Sequence, residues 1–316
     1  MSVRKRIGLV GARGFVGQEL LALLDKDPGC EVVLVASRGA AGSTIAGHTL
    51  VDVSPADVAH CGLDALVLGL SNGQSAPWVQ AVSADVVVVD LSADWRFDDT
   101  WSYGLVEKNR ASLRKSKRIA NPGCYSTAAQ LAILPFRDII ERVNVFGVSG
   151  YSGAGSSPSK KNDPAVLRDN LMPYDLIGHT QEKEMRRHAG VDVRFLPHVA
   201  PFFRGITCTL AIDLSDDITQ ADARELVGAC YAKEPLVRVV DDEPLVREAV
   251  GRHTVQIGGL RVEGRRLVVV ATIDNLLKGA ATQALQNLHL GLGLPEFSGI
   301  PLDAFPTDHQ RPEATT

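Results

Sequence analysis

Aromatic residues make up only 5% of this 316-residue chain, and its five cysteines (Cys30, Cys61, Cys124, Cys208, Cys230) are scattered without a C-x-x-C pair. An odd, dispersed set excludes a disulfide framework, and no His/Cys spacing forms a zinc site, so no metal is expected. Long apolar runs are missing as well. Even Val86–Leu91 is only strand-sized, which excludes a membrane-spanning helix. Neither sign of charge dominates: 33 Lys+Arg stand against 37 Asp+Glu, and a formal net charge of -4 leaves no basic footprint for nucleic acid. The opening residues, MSVRKR, run into a strand without a signal-peptide core, so a reducing cytoplasm is the expected compartment. No repeat or low-complexity tract interrupts the chain. Its length exceeds what one core usually supports, which predicts two domains.

What is present is glycine, 29 of them, placed where chemistry needs close backbone approach. Arg6–Val10 reads as a buried strand, and Gln18–Lys26 has helical apolar spacing. Between them lies Gly11-Ala12-Arg13-Gly14-Phe15-Val16-Gly17, a G-x-x-G-x-x-G variant of the dinucleotide fingerprint. Its glycines permit a tight turn and let a pyrophosphate sit on the helix N-terminus. The next strand, Glu31–Ala36, ends in Ser37-Arg38 instead of the carboxylate that would bind the ribose 2′-hydroxyl of NAD. Arg38, with Arg13 as a second cation, suits the 2′-phosphate of NADP(H); the alternative for Arg38 is an ordinary solvated arginine. Ala65–Leu70 and Asp85–Leu91 read as further parallel strands. The turns after them, Ser71-Asn72-Gly73 and Ser92 to Arg96, fall where a doubly wound sheet binds ligands. Asp94 and Arg96 could equally pair with each other.

Asn121-Pro122-Gly123-Cys124-Tyr125 carries the most chemical information. The turn precedes an Ala/Leu-rich helical segment, so Cys124 stands at a helix N-terminus, where free N–H groups and the helix dipole favour a thiolate. The competing reading is a buried structural cysteine. Backbone N–H groups beside Cys124 and the Asn121 amide are placed to hold a tetrahedral oxyanion.

From about Val143 the pattern changes. Val143–Val148 reads as a strand leading into a glycine-rich loop that includes Ser152, Gly153 and Gly155, whose backbone approaches a ligand. His179 heads a helical segment and is either an acid/base or a capping residue. His198, between two prolines, is either packed in the core or part of the site. Val255–Leu260 and Arg266–Thr272 flank Glu263-Gly264 as a hairpin, and Ala280–Leu290 is a last helix returning to the first domain. The stretch beyond Pro295 reads as a surface excursion.

The ordered segments GARGFVGQELL, VDLSADWRF, IANPGCYSTAAQLAILP, VSGYSGAG, NLMPYDLIGHTQEKE, FLPHVAPFFRGI and DNLLKGAATQALQNL resemble the N-acetyl-gamma-glutamyl-phosphate reductase family of the aspartate-semialdehyde dehydrogenase superfamily. KNDPAVLRDNLMPY is similar to a branch in which a related reductase is fused to a kinase. The resemblance implies an α/β Rossmann-type dinucleotide-binding domain over 1–123 with 280–316, and an α+β catalytic and dimerisation domain over 124–279. It implies an acyl phosphate substrate, phosphate as co-product, NADPH as reductant, and a homodimer or homotetramer. Cys124 would form a thioester, His179 would be the acid/base and Tyr174 its neighbour, with Asn275 near the nicotinamide. Arg96, Arg204 and His198 are candidates for substrate contact. Aspartyl phosphate, or carrier-bound aminoadipyl phosphate, is the alternative acyl group, and a non-catalytic cofactor-binding protein the alternative class. Two departures from the common pattern stand out: Arg13 replaces a serine, and Leu105-Val106-Glu107 stands where Leu-Pro-Glu is usual.

Overall fold

A computed structural model of the chain describes residues 3–302. Val/Leu-rich runs such as Ala65–Leu68 and Val87–Asp90 are buried along their whole length, which requires cover on both faces and fits a parallel sheet. They belong to a six-stranded, all-parallel sheet in the order Cys30–Ala36, Lys5–Val10, Ala65–Leu68, Val87–Asp90, Arg118–Ala120, Ser102–Tyr103. The strand order reverses between Lys5–Val10 and Ala65–Leu68. That is the switch point at which open α/β sheets bind ligands.

The second sheet has seven strands, in the order Met172–Pro173, Asp192–Ala200, Ile140–Gly150, Ile206–Leu214, Arg266–Ile273, Val255–Glu263, Val237–Val239. Asp192–Ala200 lies parallel to Ile140–Gly150, while the expected hairpin pairs Val255–Glu263 with Arg266–Ile273. Helices Cys124–Ile133, Thr180–Ala189 and Gln220–Tyr231 cover one face. On the other face Phe146 and Leu196 remain 40% and 41% exposed. Strand alternation puts His198, Thr209 and Val270 on that same side.

Cys124–Ile133 is buried at every position after its first residue. A helix without a wet face must be small-residue-rich to fit between neighbours, which accounts for its Ser, Thr and Ala content. The last helix, Thr282–Leu292, packs against the first sheet and its helices, and a single π-turn, Leu277–Ala281, precedes it and takes in the expected helix start at Ala280. Glu296 and Ile300 are buried, and Ser298 donates to Asp27. The chain just beyond Pro295 is therefore part of the first core and not a surface excursion. Residues 303–316 of that stretch lie outside the described residues.

Candidate active site

The glycine turn meets the switch point directly. Gly11 has φ +89°, and a Cβ there would lie 2.1 Å from the carbonyl oxygen of Gly69. A Cβ on Gly14 would meet only ordinary contact. Gly14 is also the N-cap of Phe15–Leu24 and offers no side-chain cap, which leaves the N–H groups of Phe15, Val16 and Gly17 without a capping side chain. A trough of about 1230 Å³ runs from Arg38 and Arg13 past Gly11 and Ser71. It continues into a cleft of about 400 Å³ lined by Gly14, Gly17, Cys124, Gly153, Gly155 and Asn275. An uncapped helix N-terminus at the centre of a long trough, with a cationic end, fits a nicotinamide dinucleotide.

Arg13 accounts for its departure from serine. Its Nε donates to Ser37 Oγ at 2.8 Å and its Nη2 to the Arg38 carbonyl at 2.8 Å, which leaves the Arg38 side chain exposed at the end of the trough. Ser71 lines the trough, whereas Asn72 and Gly73 tie it from outside. Asn72 accepts the Ala93 N–H and Gly73 donates to Asp94. Ser92 is buried and donates to the Asp90 carboxylate at 2.5 Å; burial lifts that carboxyl to about 6. Asn275 ties the cleft wall together, donating to Ser152 Oγ and accepting the Gly205 N–H.

Cys124 opens its helix directly after the Gly123 N-cap. Neighbouring side chains take the flanking donors: Glu184 accepts the Gly123 N–H at 2.9 Å, and Gln181 Oε1 accepts that of Ser126 at 3.0 Å. The N–H groups of Cys124 and Tyr125 have no capping side chain and favour a thiolate at the adjacent sulfur. The sequence expectation of a lowered thiol pKa is corrected here. Burial pushes the half-buried thiol up, and the two N–H groups and Arg96 only partly offset it. Asn121 accepts from Asn287, while its own Nδ2 makes only long contacts of 3.4 and 3.5 Å. That amide is free to serve an oxyanion at the cleft.

His179 caps the Thr180–Ala189 helix, its Nδ1 accepting the Gln181 N–H at 3.1 Å. This bond puts the proton of the neutral ring on Nε2. Burial lowers the His179 pKa below the ordinary histidine value. The ring packs against Tyr174 at 5.5 Å and Phe195 at 5.2 Å. Tyr174 lies near Tyr125, the residue after the cysteine, and its pKa is raised by burial and by the charge of Cys124. The structure thus lines the cleft with Cys124 and Asn121, while Tyr174 and His179 lie beside the Cys124 helix and are not among the cleft-lining residues.

Other candidates go elsewhere. Arg204 is held by Glu19 and Asp274 and does not line the cleft; two carboxylates leave its guanidinium little to offer a substrate. His198 lies within a strand, on the sheet's uncovered face, its ring tilted 47° against Phe146 at 4.6 Å. Only its carbonyl turns inward, to Tyr125 Oη. Asp94 and Arg96 do not pair. Asp94 caps the Gly73–Ser75 turn, and Arg96 pairs with Glu184 at 3.0 Å while donating to the Asn121 and Leu91 carbonyls. Arg96 still lines the cleft. Gln181 and Glu184 went unnoticed as site residues in the sequence. They stand in the quoted HTQEKE segment, but nothing local marks them as partners of a turn almost 60 residues upstream.

Residues 6–116 match the family described as semialdehyde dehydrogenase, NAD binding domain, and residues 124–275 that described as semialdehyde dehydrogenase, dimerisation domain. The N-acetyl-gamma-glutamyl-phosphate reductase of Xylella fastidiosa (strain M23) is 47% identical over 95% of this chain and 96% of that protein. Its counterpart from Xanthomonas oryzae pv. oryzae (strain MAFF 311018) is 48% identical over 93% and 98%. Protein arg-6, mitochondrial, of Neurospora crassa is 47% identical over 94% of this chain, which corresponds to 36% of that longer protein. Among solved structures, aspartate semialdehyde dehydrogenase II of Vibrio cholerae complexed with ASA superposes with a TM-score of 0.76 at 22% identity, covering 92% of this chain and 98% of that one. The Candida albicans aspartate semialdehyde dehydrogenase with NADP gives 0.71 at 15%, covering 92% and 99%. At these identities the structural likeness establishes the fold alone.

Proposed function

This chain belongs to the N-acetyl-gamma-glutamyl-phosphate reductase family, and from that premise we propose a mechanism in which Cys124 is the nucleophile. The reaction is the NADPH-dependent reduction of N-acetylglutamyl 5-phosphate to the 5-semialdehyde, in arginine biosynthesis. The observation that carries the mechanism is the place of Cys124, at the first turn of a helix whose N-cap offers no capping side chain, in the cleft that continues the dinucleotide trough.

The Cys124 thiol attacks the acyl carbon. The C–S bond forms as the S–H bond and the C–O bond to phosphate break, and phosphate leaves carrying the thiol proton. Acyl phosphates are activated enough to need little acid assistance. The tetrahedral oxyanion is the costly species, and the backbone N–H groups and the Asn121 amide support it. Arg96 retains guanidinium N–H groups beyond its three partners and is assigned to the phosphoryl group. NADPH, when bound along Gly11–Gly17, Ser71 and Arg38, would supply a hydride for the thioester carbon; the C–S bond then breaks, releasing the semialdehyde and the Cys124 thiolate, which takes up a proton.

His179 acts as a neutral donor. Its Nδ1 is committed to the helix N-terminus and its pKa lies below the ordinary value, so near neutral pH it offers Nε2–H to the substrate carbonyl oxygen. Protonation at Nδ1 would set two N–H groups against each other at Gln181 and displace the ring, and the lowered pKa puts this below the usual histidine range of about 6.5, so the single-turnover rate is expected to hold down to that range and decline beneath it. His179→Asn keeps a good N-cap while withdrawing the donor. It is expected to cut kcat on the order of 10²-fold, abolish the acid limb and leave the thermal midpoint near wild type. A large loss of thermal stability at nearly full rate would instead assign His179 to capping.

Arg38 is assigned to the cofactor's 2′-phosphate. Arg38→Asp is expected to weaken NADPH on the order of 100-fold and NADH only a few-fold, read by fluorescence titration. Equal losses for both cofactors would remove the assignment.

The cofactor-binding unit is assigned to 1–123 with 280–316, of which 3–123 and 280–302 are described, and the catalytic and dimerisation unit to 124–279. The uncovered sheet face with Phe146, Leu196 and His198 is the expected contact between copies, in a homodimer or homotetramer. The described residues contain no helix long and apolar enough to cross a membrane, and the proposed compartment is the cytoplasm.

The decisive assay runs in reverse: phosphate-dependent reduction of NADP by N-acetylglutamate 5-semialdehyde, beside aspartate semialdehyde. Turnover of the acetylated substrate is expected. Turnover of aspartate semialdehyde alone would keep the chemistry and overturn the substrate.

A further inference from the structure

Of the three groups the sequence offers for substrate contact, only Arg96 reaches the cleft. The function proposed above, on which this inference rests, requires more. Its substrate carries an acyl phosphate at one end and a carboxylate on the carbon three bonds away from the acyl carbon. Arg96, beside Gly123, is placed to serve the phosphoryl end. A carboxylate drawn into a half-buried cleft without a counter-ion is costly.

Lys161 stands beside the Tyr174 ring, next to the cleft and not among its lining residues. Its ammonium lies 4.6 Å from the centroid of the Tyr174 ring, and that ring is 5.5 Å from His179. Its charge is felt by His179. A rigid turn sets its position. The Asn162 amide donates to the Gly155 and Ser157 carbonyls, both at 2.8 Å, and accepts the Ser159 N–H at 2.7 Å. Gly155 and Ser157 line the cleft that contains Cys124. Lys161 is thus fixed to the cleft wall by its neighbours while its own head group is held loosely.

The hold is Asp175, at 3.6 Å, with side chains 39% and 61% exposed. So exposed a pair is weak, and a substrate carboxylate can take the place of Asp175. Asp175 also has φ +42°, in the left-handed region; strained positions of this kind gather at binding sites.

From this placement we infer that Lys161 is the counter-ion for the substrate's carboxylate and sets the preference for a carboxylate-bearing semialdehyde. It is a binding residue, separate from the groups that act on the acyl carbon.

The test uses full-length wild type, Lys161→Met and Lys161→Arg in the reverse reaction, with N-acetylglutamate 5-semialdehyde and with 4-acetamidobutanal, the same molecule without its carboxylate. Lys161→Met is expected to raise KM for the semialdehyde about 10- to 30-fold, with kcat, KM for phosphate and KM for NADP changed less than about threefold. Lys161→Arg restores most of the loss. With 4-acetamidobutanal, wild type and Lys161→Met perform alike. A rise in phosphate KM in place of semialdehyde KM would reassign Lys161 to the phosphoryl group and overturn the inference. So would a penalty that persists with the carboxylate-free aldehyde, or one accompanied by a fallen thermal midpoint. A wild type silent toward N-acetylglutamate 5-semialdehyde would refute the reductase reading itself, and this assignment with it.

Discussion

Replacing Cys124 with alanine is expected to lower turnover by about 10⁴-fold or more while changing NADPH affinity less than about twofold. The size follows from the kind of loss. The remaining groups stabilise charge on a tetrahedral centre, but without the sulfur no such centre forms on the protein. Water attacking the acyl phosphate gives the acid, which does not accept hydride. Little else should change. Cys124 is half-buried at the first turn of its helix, where alanine is tolerated, and its Cβ already lies close to Gly279. The dinucleotide trough depends on Gly11 and Arg13, on a different sheet. Mass spectrometry of wild type mixed with acyl phosphate without NADPH should show the acyl adduct, absent from Cys124→Ala. Residual activity above a few per cent in the variant would end the thioester mechanism.

The second large effect is expected at the Arg96–Glu184 pair. Their side chains are 8% and 0% exposed and joined at 3.0 Å. Glu184 also accepts from Tyr103 Oη at 2.8 Å and from the Gly123 N–H, while Arg96 Nε holds the Asn121 carbonyl. One ion pair therefore fixes both sides of the Asn121–Gly123 turn on which the nucleophile rests. Removing one partner leaves the other buried and unpaired, at a cost of roughly 3–5 kcal/mol. Glu184→Gln keeps an acceptor for Gly123 but sets an amide N–H against the guanidinium. Its unfolding free energy from urea titration should fall by an amount in that range, and kcat should fall with it. The double variant Arg96→Met with Glu184→Leu separates fold from function. It is expected to recover much of the stability, because no lone charge remains, while staying far below wild-type rate. Strictly additive single losses would show that the two side chains do not act as a pair.

Much of this site was legible before any coordinates. Gly11 needs a left-handed φ and closeness to Gly69, and only glycine offers both; the spacing of Gly11, Gly14 and Gly17 between a strand and a helix announces the turn. The buried runs Ala65–Leu68 and Val87–Asp90 were readable as parallel strands because a two-faced environment leaves no alternation. Cys124 at a helix start followed from Pro122-Gly123 alone. The direction of its pKa shift did not follow, since that depends on how completely the helix is enclosed by the rest of the chain. His198 shows the same limit. Its flanking prolines fix the backbone, yet strand alternation turns the ring to the outer face and only the carbonyl inward.

The sequence by itself determined the local devices: the dinucleotide turn, the cationic end of the second strand, the cysteine at a helix N-terminus and the histidine heading its own helix. Each depends on backbone conformations and donors within a few residues, and such preferences are written in the residue types themselves. Tertiary structure decided which charges meet. Arg96 finds Glu184 across 88 residues and Arg204 finds Glu19 across 185, so one arginine stays at the cleft while the other is taken up between packed elements. Long-range ion pairs leave no periodic trace along a chain. They are set by which helix packs on which sheet, and that packing, not the presence of an arginine or a histidine, decides what a substrate can touch.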